Sequence, residues 1–188
     1  SPFIKAPLGI GATVPGKYLN WAFQTTPQTG LNGRRGYQPR GKVLGGSSAI
    51  NAMIYTRGHA WDYDHWAALG NPGWSFADVL PYFKASQNQE RNRDLGGDDY
   101  HGIGGPLNVA DLRSPNPLAQ AFVDAGAEIQ LPRNDDFNGP EQEGVGSYQV
   151  TQIGGERCSA ARAYLDPARQ RDNLSILTGA YATKIILE

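Results

Sequence analysis

Apolar residues recur at helical spacing in several parts of the chain. Between Phe76 and Phe83 they follow one another three to four positions apart, directly behind Ser75, a residue type that caps helices well. This pattern predicts a helix over 75–86. The same criteria predict further helices over 46–54, 61–69, 116–130 and 159–165.

Short apolar or alternating runs bounded by turn residues predict strands. These runs lie at 106–109, 147–153, 173–178 and 181–187. Gly179-Ala180 would form the turn between the last two. Residues 1–40 are rich in Gly, Pro, Asn and Thr, which predicts an extended, loop-rich segment lying over another part of the protein. Together these elements predict a mixed α/β fold.

The composition is that of a globular protein. The 188 residues are 39% hydrophobic and 19% charged, as in globular proteins, and the net charge of -1 argues against binding to nucleic acid. No apolar run is long enough to span a bilayer. Cys158 is the only cysteine, so no internal disulfide can form. We therefore expect a cytoplasmic protein, with membrane association of a complete protein left open.

Both ends of the sequence have features that are expected within a longer chain. The chain begins at Ser1 without a methionine and ends at Glu188 inside an alternating apolar run. A strand that stops within its pattern lacks its turn and partner. We expect a fragment of a longer polypeptide, the alternative being a short natural domain with a terminal strand.

Two glycines and two serines stand directly before an apolar run in the stretch GKVLGGSSAINAM, residues 41–53. Gly45 and Gly46 would let the backbone approach a ligand without a Cβ atom in the way. Ser47 and Ser48 would cap the following helix, whose first N–H groups would face an anion such as a phosphate. An ordinary structural turn is the alternative interpretation.

This stretch resembles the first signature of the glucose–methanol–choline (GMC) oxidoreductases, which are FAD-dependent enzymes that oxidise alcohols. Similar matches to the family lie, in the family's order, at 17–21, 99–102, 105–107, 138–139, 142–144, 157–165 and 173–178. The likeness is strongest to choline dehydrogenases and bacterial alcohol dehydrogenases.

The resemblance implies a fold and a set of cofactor contacts. The chain would be the middle of a GMC-type FAD-binding fold, without the N-terminal dinucleotide-binding βαβ unit. Residues 1–40 would form a lid-like segment, and 41–188 the central FAD-contacting part. Its contacts would be Arg40, Gly41, Val43, Leu44, Gly45, Gly46, Ser47 and Ser48 near the ribityl and pyrophosphate groups, Asn51, Ala52 and Met53 near the isoalloxazine ring, and Ala182 at the adenine.

Ile50 stands where some members of the family carry the histidine that bonds covalently to FAD. An aliphatic side chain cannot form that bond. The resemblance therefore implies noncovalent FAD.

In the implied reaction an alcohol loses a hydride to the flavin and a proton to a histidine that would lie beyond Glu188. The chain would then hold no catalytic residue and be inactive alone, its partners being the alcohol and the missing parts of its own polypeptide. Two alternatives stay open. One is a hydroxynitrile-lyase-type member of the same fold. The other, if these residues are the whole gene product, is a noncatalytic binding or assembly module.

The remaining reactive side chains have simpler interpretations. His59, His65 and His101 lack the spacing of metal ligands, and the first two stand beside Trp61 and Trp66 in the sequence. We expect structural or surface roles for these histidines and for Cys158, and no metal site.

Overall fold

The computed structural model describes residues 1–91 and 93–187 of the chain. Its α-helices are α1 Pro2–Lys5, α2 Ile10–Thr13, α3 Ala60–Ala68, α4 Phe76–Ser86, α5 Pro117–Glu128 and α6 Asp166–Ala168. Short 3₁₀-helices lie at Pro7–Gly9, Thr29–Leu31, Gly46–Ala49 and Arg93–Leu95, and a π-helical turn at Ala161–Leu165. The strands are β1 Phe23–Gln24, β2 Tyr37–Gln38, β3 Gln87–Gln89, β4 Leu107–Val109, β5 Gln152–Ile153 and β6 Glu156–Arg157.

These strands pair in twos within the described residues. The β1–β2 and β5–β6 pairs are antiparallel, and the β3–β4 pair is parallel. The predicted mixed α/β class is confirmed.

The three longest helices begin directly after residues that cap them. Ser75 and Asp78 form a reciprocal capping box at the start of α4, as His59 and Asp62 do at α3. Asn116 caps α5 by accepting a hydrogen bond from the N–H of Leu118 at 2.9 Å. Such caps act within one turn, so sequence alone predicts them well.

The core lies where β4, the 53–57 segment and the 149–151 segment meet. Val109 is fully buried, and so is Gln87 at the start of β3. The N–H and the carbonyl of Val150 both pair with Ala110, whereas its neighbour Gln149 accepts from Tyr55. Val150 thus pairs with the residue after β4, whereas Gln149 pairs with the 53–57 segment. Because the pairing changes from one residue to the next, the strand predicted over 147–153 is reduced to β5 and isolated bridges.

The two strands predicted over 173–178 and 181–187 are absent from the described residues, and that prediction is wrong for this structure. Ile185, Ile186 and Leu187 are largely exposed. An alternating pattern forms a strand only when a neighbouring strand satisfies its backbone groups, and no strand within 1–91 and 93–187 is paired with this segment.

The 1–40 segment is attached to the chain that follows it by a hydrogen bond from the Lys42 N–H to the Leu19 carbonyl at 2.8 Å, beside a buried amide. Asn20, which is 3% exposed, donates to the carbonyl oxygens of Val14 and Gly16 at 3.0 Å. Its Oδ1 atom accepts from the N–H of Arg40 at 2.9 Å. This buried amide fixes the point where the glycine-serine stretch begins. Within the described residues, no helix has both the length and the apolar character needed to cross a membrane.

Candidate functional site

The glycine-serine turn is tightly packed on one side and open on the other. Gly45 and Gly46 have φ angles of 88° and 55°, in the left-handed region that favours glycine. A Cβ atom on Gly45 would lie 3.1 Å from the Cβ of Ala161, and one on Gly41 would lie 2.1 Å from the carbonyl oxygen of Gly46. A Cβ on Gly46 would meet no atom within 4 Å. Of these three glycines, Gly46 alone faces open space.

The helix predicted over 46–54 is limited to the single 3₁₀ turn Gly46–Ala49. Beyond it, the Oδ1 atom of Asn51 accepts from the N–H of Met53 at 3.0 Å, and Met53 adopts a φ of 64°. This side-chain turn competes with the helical hydrogen bonds and ends the helix. A four-residue helix has little macrodipole, so its N-terminus is a weaker anion site than the sequence suggests.

The two serines do not cap this short helix as predicted. Instead, Ser47 Oγ accepts from the N–H of Gly41 at 3.2 Å. Ser48 Oγ donates to the carbonyl of Gly45 at 2.5 Å and accepts from the N–H of Ala160 at 2.9 Å. The serines therefore hold the shape of the turn, and Ser48 joins it to the segment before the π-helical turn.

Arg157 lies beneath the loop that follows the turn, and it is 2% exposed. Its Nη1 atom donates to the Asn51 Oδ1 at 2.8 Å, to the Asn51 carbonyl at 2.7 Å and to the Ser48 carbonyl at 3.2 Å. Its Nε atom donates to the carbonyl of Ile4 at 2.9 Å. Burial lowers the pKa of Arg157 below its ordinary value. Sequence reasoning missed this role, because nothing local connects residues 51 and 157.

Lys42, which precedes the turn, and Tyr181, which is far from it in sequence, both pack against the Trp21 ring. Lys42 Nζ lies 4.4 Å from the centroid of the Trp21 ring, and the Tyr181 ring lies 5.4 Å from the same ring. Ala182, next to Tyr181, is exposed. The structure thus brings Ala182 towards the predicted cofactor contacts at 40–53, although the two are far apart in sequence.

The other predicted contacts differ in exposure. Arg40, Leu44, Ser47, Asn51 and Ala52 are exposed, Val43 is half-buried, and Met53 is buried. Ile50, whose aliphatic side chain is the basis for predicting noncovalent FAD, is also buried.

A second polar cluster lies behind the 53–57 segment. Arg57 donates to the carbonyl of Tyr100 and to Gln87 Oε1, both at 2.7 Å. Gln87 also contacts His101 Nδ1, and His101 Nε2 lies 2.6 Å from Asp136 Oδ2. These contacts join residues of the protein to one another, so the cluster holds the 53–57 segment in place.

Burial opposes the ionisation of Asp136, but hydrogen bonds from His101 and from the N–H of Asn138, together with nearby positive charge, lower its pKa. Among the other residues singled out, His65 stacks on Trp61 with ring centroids 4.8 Å apart, and Cys158 is buried. Over 1–91 and 93–187, no three His, Cys, Asp or Glu side chains are grouped so as to hold a metal ion.

The sequence of this chain is similar to those of known proteins. The family model described as GMC oxidoreductase matches residues 9–188. The chain is 50% identical over its whole length to an alcohol dehydrogenase [acceptor] from Pseudomonas putida, and 46% identical to an oxygen-dependent choline dehydrogenase from Rhizobium johnstonii. It covers 34% and 33% of those two proteins, so it spans about a third of their length.

A solved structure shows the same fold. The crystal structure of pyridoxine 4-oxidase from Mesorbium loti superposes on 95% of the chain with a TM-score of 0.87 at 38% sequence identity, and the chain covers 35% of it.

Proposed function

This chain belongs to the GMC oxidoreductase family, and we propose that it forms part of the flavin site of an oxidoreductase acting on the CH–OH group of alcohols. FAD is the cofactor of this family. In the proposal, residues 41–188 contact the cofactor and residues 1–40 cover it as a lid.

The observation that carries the proposal is the open side of Gly46. A Cβ on Gly41 would overlap the backbone of Gly46, and a Cβ on Gly45 would make a tight 3.1 Å contact with Ala161 at a left-handed φ. Gly46 faces no protein atom within 4 Å, so close packing within the chain does not explain its lack of a side chain. The left-handed φ favours glycine by itself, as it does at Gly154, which is equally open. What distinguishes Gly46 is its place beside the exposed cations Arg40 and Lys42, so we infer that a cofactor lies against this open surface.

The groups around the turn fit an FAD molecule chemically. Exposed Arg40 and Lys42 supply positive charge beside the turn, which suits a pyrophosphate. The exposed Asn51 amide suits the polar edge of a flavin ring. The cofactor set is Arg40, Gly41, Val43, Leu44, Gly45, Gly46, Ser47, Ser48, Asn51, Ala52, Met53 and Ala182. We propose that FAD is held without a covalent bond, because Ile50 has no atom that forms one.

When bound, FAD supplies the redox chemistry by accepting a hydride from the alcohol carbon. In this chain, the turn binds the cofactor, Asn51 orients the ring, and the 1–40 segment excludes water. His59 caps α3, His65 stacks on Trp61, and His101 is paired with Asp136. These three histidines therefore have structural roles, and we propose that the proton acceptor lies in another part of the polypeptide.

Anaerobic reduction tests this function directly. The complete enzyme is mixed with a panel of primary alcohols, choline included, while the oxidised flavin band is followed. We expect at least one alcohol to bleach the band without an added acceptor. If dithionite bleaches the flavin and no alcohol does, the oxidoreductase proposal fails, and a lyase that binds FAD without redox use replaces it.

A further inference from the structure

The orientation of the Asn51 amide is set by two donors. Its Oδ1 atom accepts from the Met53 N–H at 3.0 Å and from Arg157 Nη1 at 2.8 Å. A flipped amide would place its NH₂ group against both of these donors, so the oxygen must face them. The described residues offer the Nδ2 atom no hydrogen-bond partner, and Asn51 is exposed. Asn51 therefore presents donors, and not an acceptor, to whatever lies on the open side.

Arg157 is a buried cation held by neutral groups. Its hydrogen bonds go to the carbonyl oxygens of Ile4, Ser48 and Asn51 and to the Asn51 amide. None of the described carboxylates forms an ion pair with it, and its buried Nη2 atom has no partner among the described residues. Burying an unpaired charge is costly, and an apolar residue of similar size would avoid that cost. The fork of the guanidinium reaches both the 48–51 loop and the N-terminal segment, which an apolar side chain could not join by hydrogen bonds.

We propose that Arg157 is a positioning residue that holds the Asn51 amide as a hydrogen-bond donor towards the flavin and thereby favours the reduced cofactor. The proposal rests on the placement of Asn51 at the flavin in the proposed function. A flavin that accepts a hydride gains negative charge, so a fixed N–H donor stabilises the reduced form more than the oxidised form. Arg157 itself does not contact the cofactor in this proposal. It acts through Asn51.

A double-mutant cycle on the complete enzyme separates positioning from simple structural support. Asn51→Ala removes the donor, and Arg157→Lys keeps the charge but loses the fork that orients the amide. We expect each change to shift the equilibrium between oxidised and reduced flavin about tenfold towards the oxidised form, which is about 30 mV in the two-electron potential. In the Asn51→Ala background, Arg157→Lys should cause no further shift, because the group through which it acts is gone. Arg169→Lys is the control, since Arg169 is exposed and pairs with Asp166.

Asn51→Asp keeps the test informative if the Arg157 variants fold poorly. The aspartate retains an oxygen facing Arg157 and the Met53 N–H while replacing both donors with an acceptor. We expect the melting temperature of this variant to stay at or above the parent value, because the new carboxylate pairs with the buried guanidinium. Its flavin potential should fall further than that of Asn51→Ala. A potential that stays at the parent value would overturn the donor assignment.

The outcomes distinguish the two proposals. If Asn51→Ala lowers the potential but the effect of Arg157→Lys is additive, Arg157 does not act through Asn51 and the positioning proposal is overturned while the flavin site stands. If neither Asn51 variant changes the potential or the dissociation constant of FAD, the placement of Asn51 at the flavin is wrong and the positioning proposal is overturned, whereas the proposed function is judged separately by whether an alcohol bleaches the flavin.

Discussion

Gly41 lies directly against the carbonyl group of Gly46. A Cβ on Gly41 would be 2.1 Å from the Gly46 oxygen and 2.4 Å from its carbon, both of them backbone atoms that no side-chain rotation can move away. We expect Gly41→Ala to destabilise the protein by about 1–3 kcal/mol, as overpacking typically does. Thermal unfolding of the complete protein measures this. Gly46→Ala is the comparison, and should cost only about 1–2 kcal/mol for its left-handed backbone. An unchanged melting temperature for Gly41→Ala would contradict the packing described.

Gly46→Val should release the cofactor while leaving the fold in place. The added side chain projects into space that holds no protein atom but that the proposal assigns to FAD. Gly154→Val is a matched control, because Gly154 has a φ of 61° and a Cβ there also meets no atom within 4 Å. Flavin absorbance per mole of purified protein is the readout. Equal flavin content in both variants would make Gly46 a purely structural turn residue.

Ser48 should matter more for stability than Ser47, although the two are adjacent. Ser48→Ala removes the acceptor of the Ala160 N–H and the donor to the Gly45 carbonyl, leaving partly buried groups without partners. We expect a loss of about 1–3 kcal/mol. Ser47→Ala removes one exposed hydrogen bond to Gly41 and should cost less. Urea unfolding of both variants tests the order, and the reverse order would show that Ser48 does not join the two segments.

The Asp136 carboxylate should make stability depend on acid pH. Its pKa is lowered in the folded protein, so its ionised form stabilises the fold above the unfolded value of about 3.9, and this contribution is lost as pH falls through the lower folded pKa. Asp136→Asn lacks the contribution. The difference in melting temperature between parent and variant should therefore be largest near neutral pH and shrink below about pH 4.

Asp124→Asn is the control for this measurement, because Asp124 pairs with Arg133 at the surface and should show a smaller difference. A gap between parent and Asp136→Asn that stays constant down to pH 3 would show that the Asp136 pKa is not lowered by folding.

Acid precipitation of the complete enzyme should leave the flavin in the supernatant. Ile50 offers no atom for a covalent bond, which is the basis for the proposed noncovalent attachment. The absorbance of the supernatant and the pellet decides the outcome. Flavin that remains with the pellet would mean that another residue bonds to it.

The sequence alone determined the features that depend on neighbours within one helical turn. Ser75 and Asn116 mark the starts of α4 and α5, and the glycine-serine stretch with its companion segments identifies the family. The two helix starts were predictable because a capping side chain and the N–H group it binds are only two or three residues apart. The family was identified from the resemblance of several segments along the chain.

Tertiary structure decided everything that joins distant residues. The hydrogen bond between Asn51 and Arg157 spans 106 residues, and that between Asn20 and Arg40 fixes the start of the turn. The helix predicted over 46–54 ended early because the Asn51 side chain bonded to the backbone, and the strands predicted over 173–187 did not form because no strand was paired with them. A residue's own propensity is worth less than about 1 kcal/mol, whereas an unpaired buried polar group costs about 1–3 kcal/mol. The partners that packing provides therefore override the local pattern.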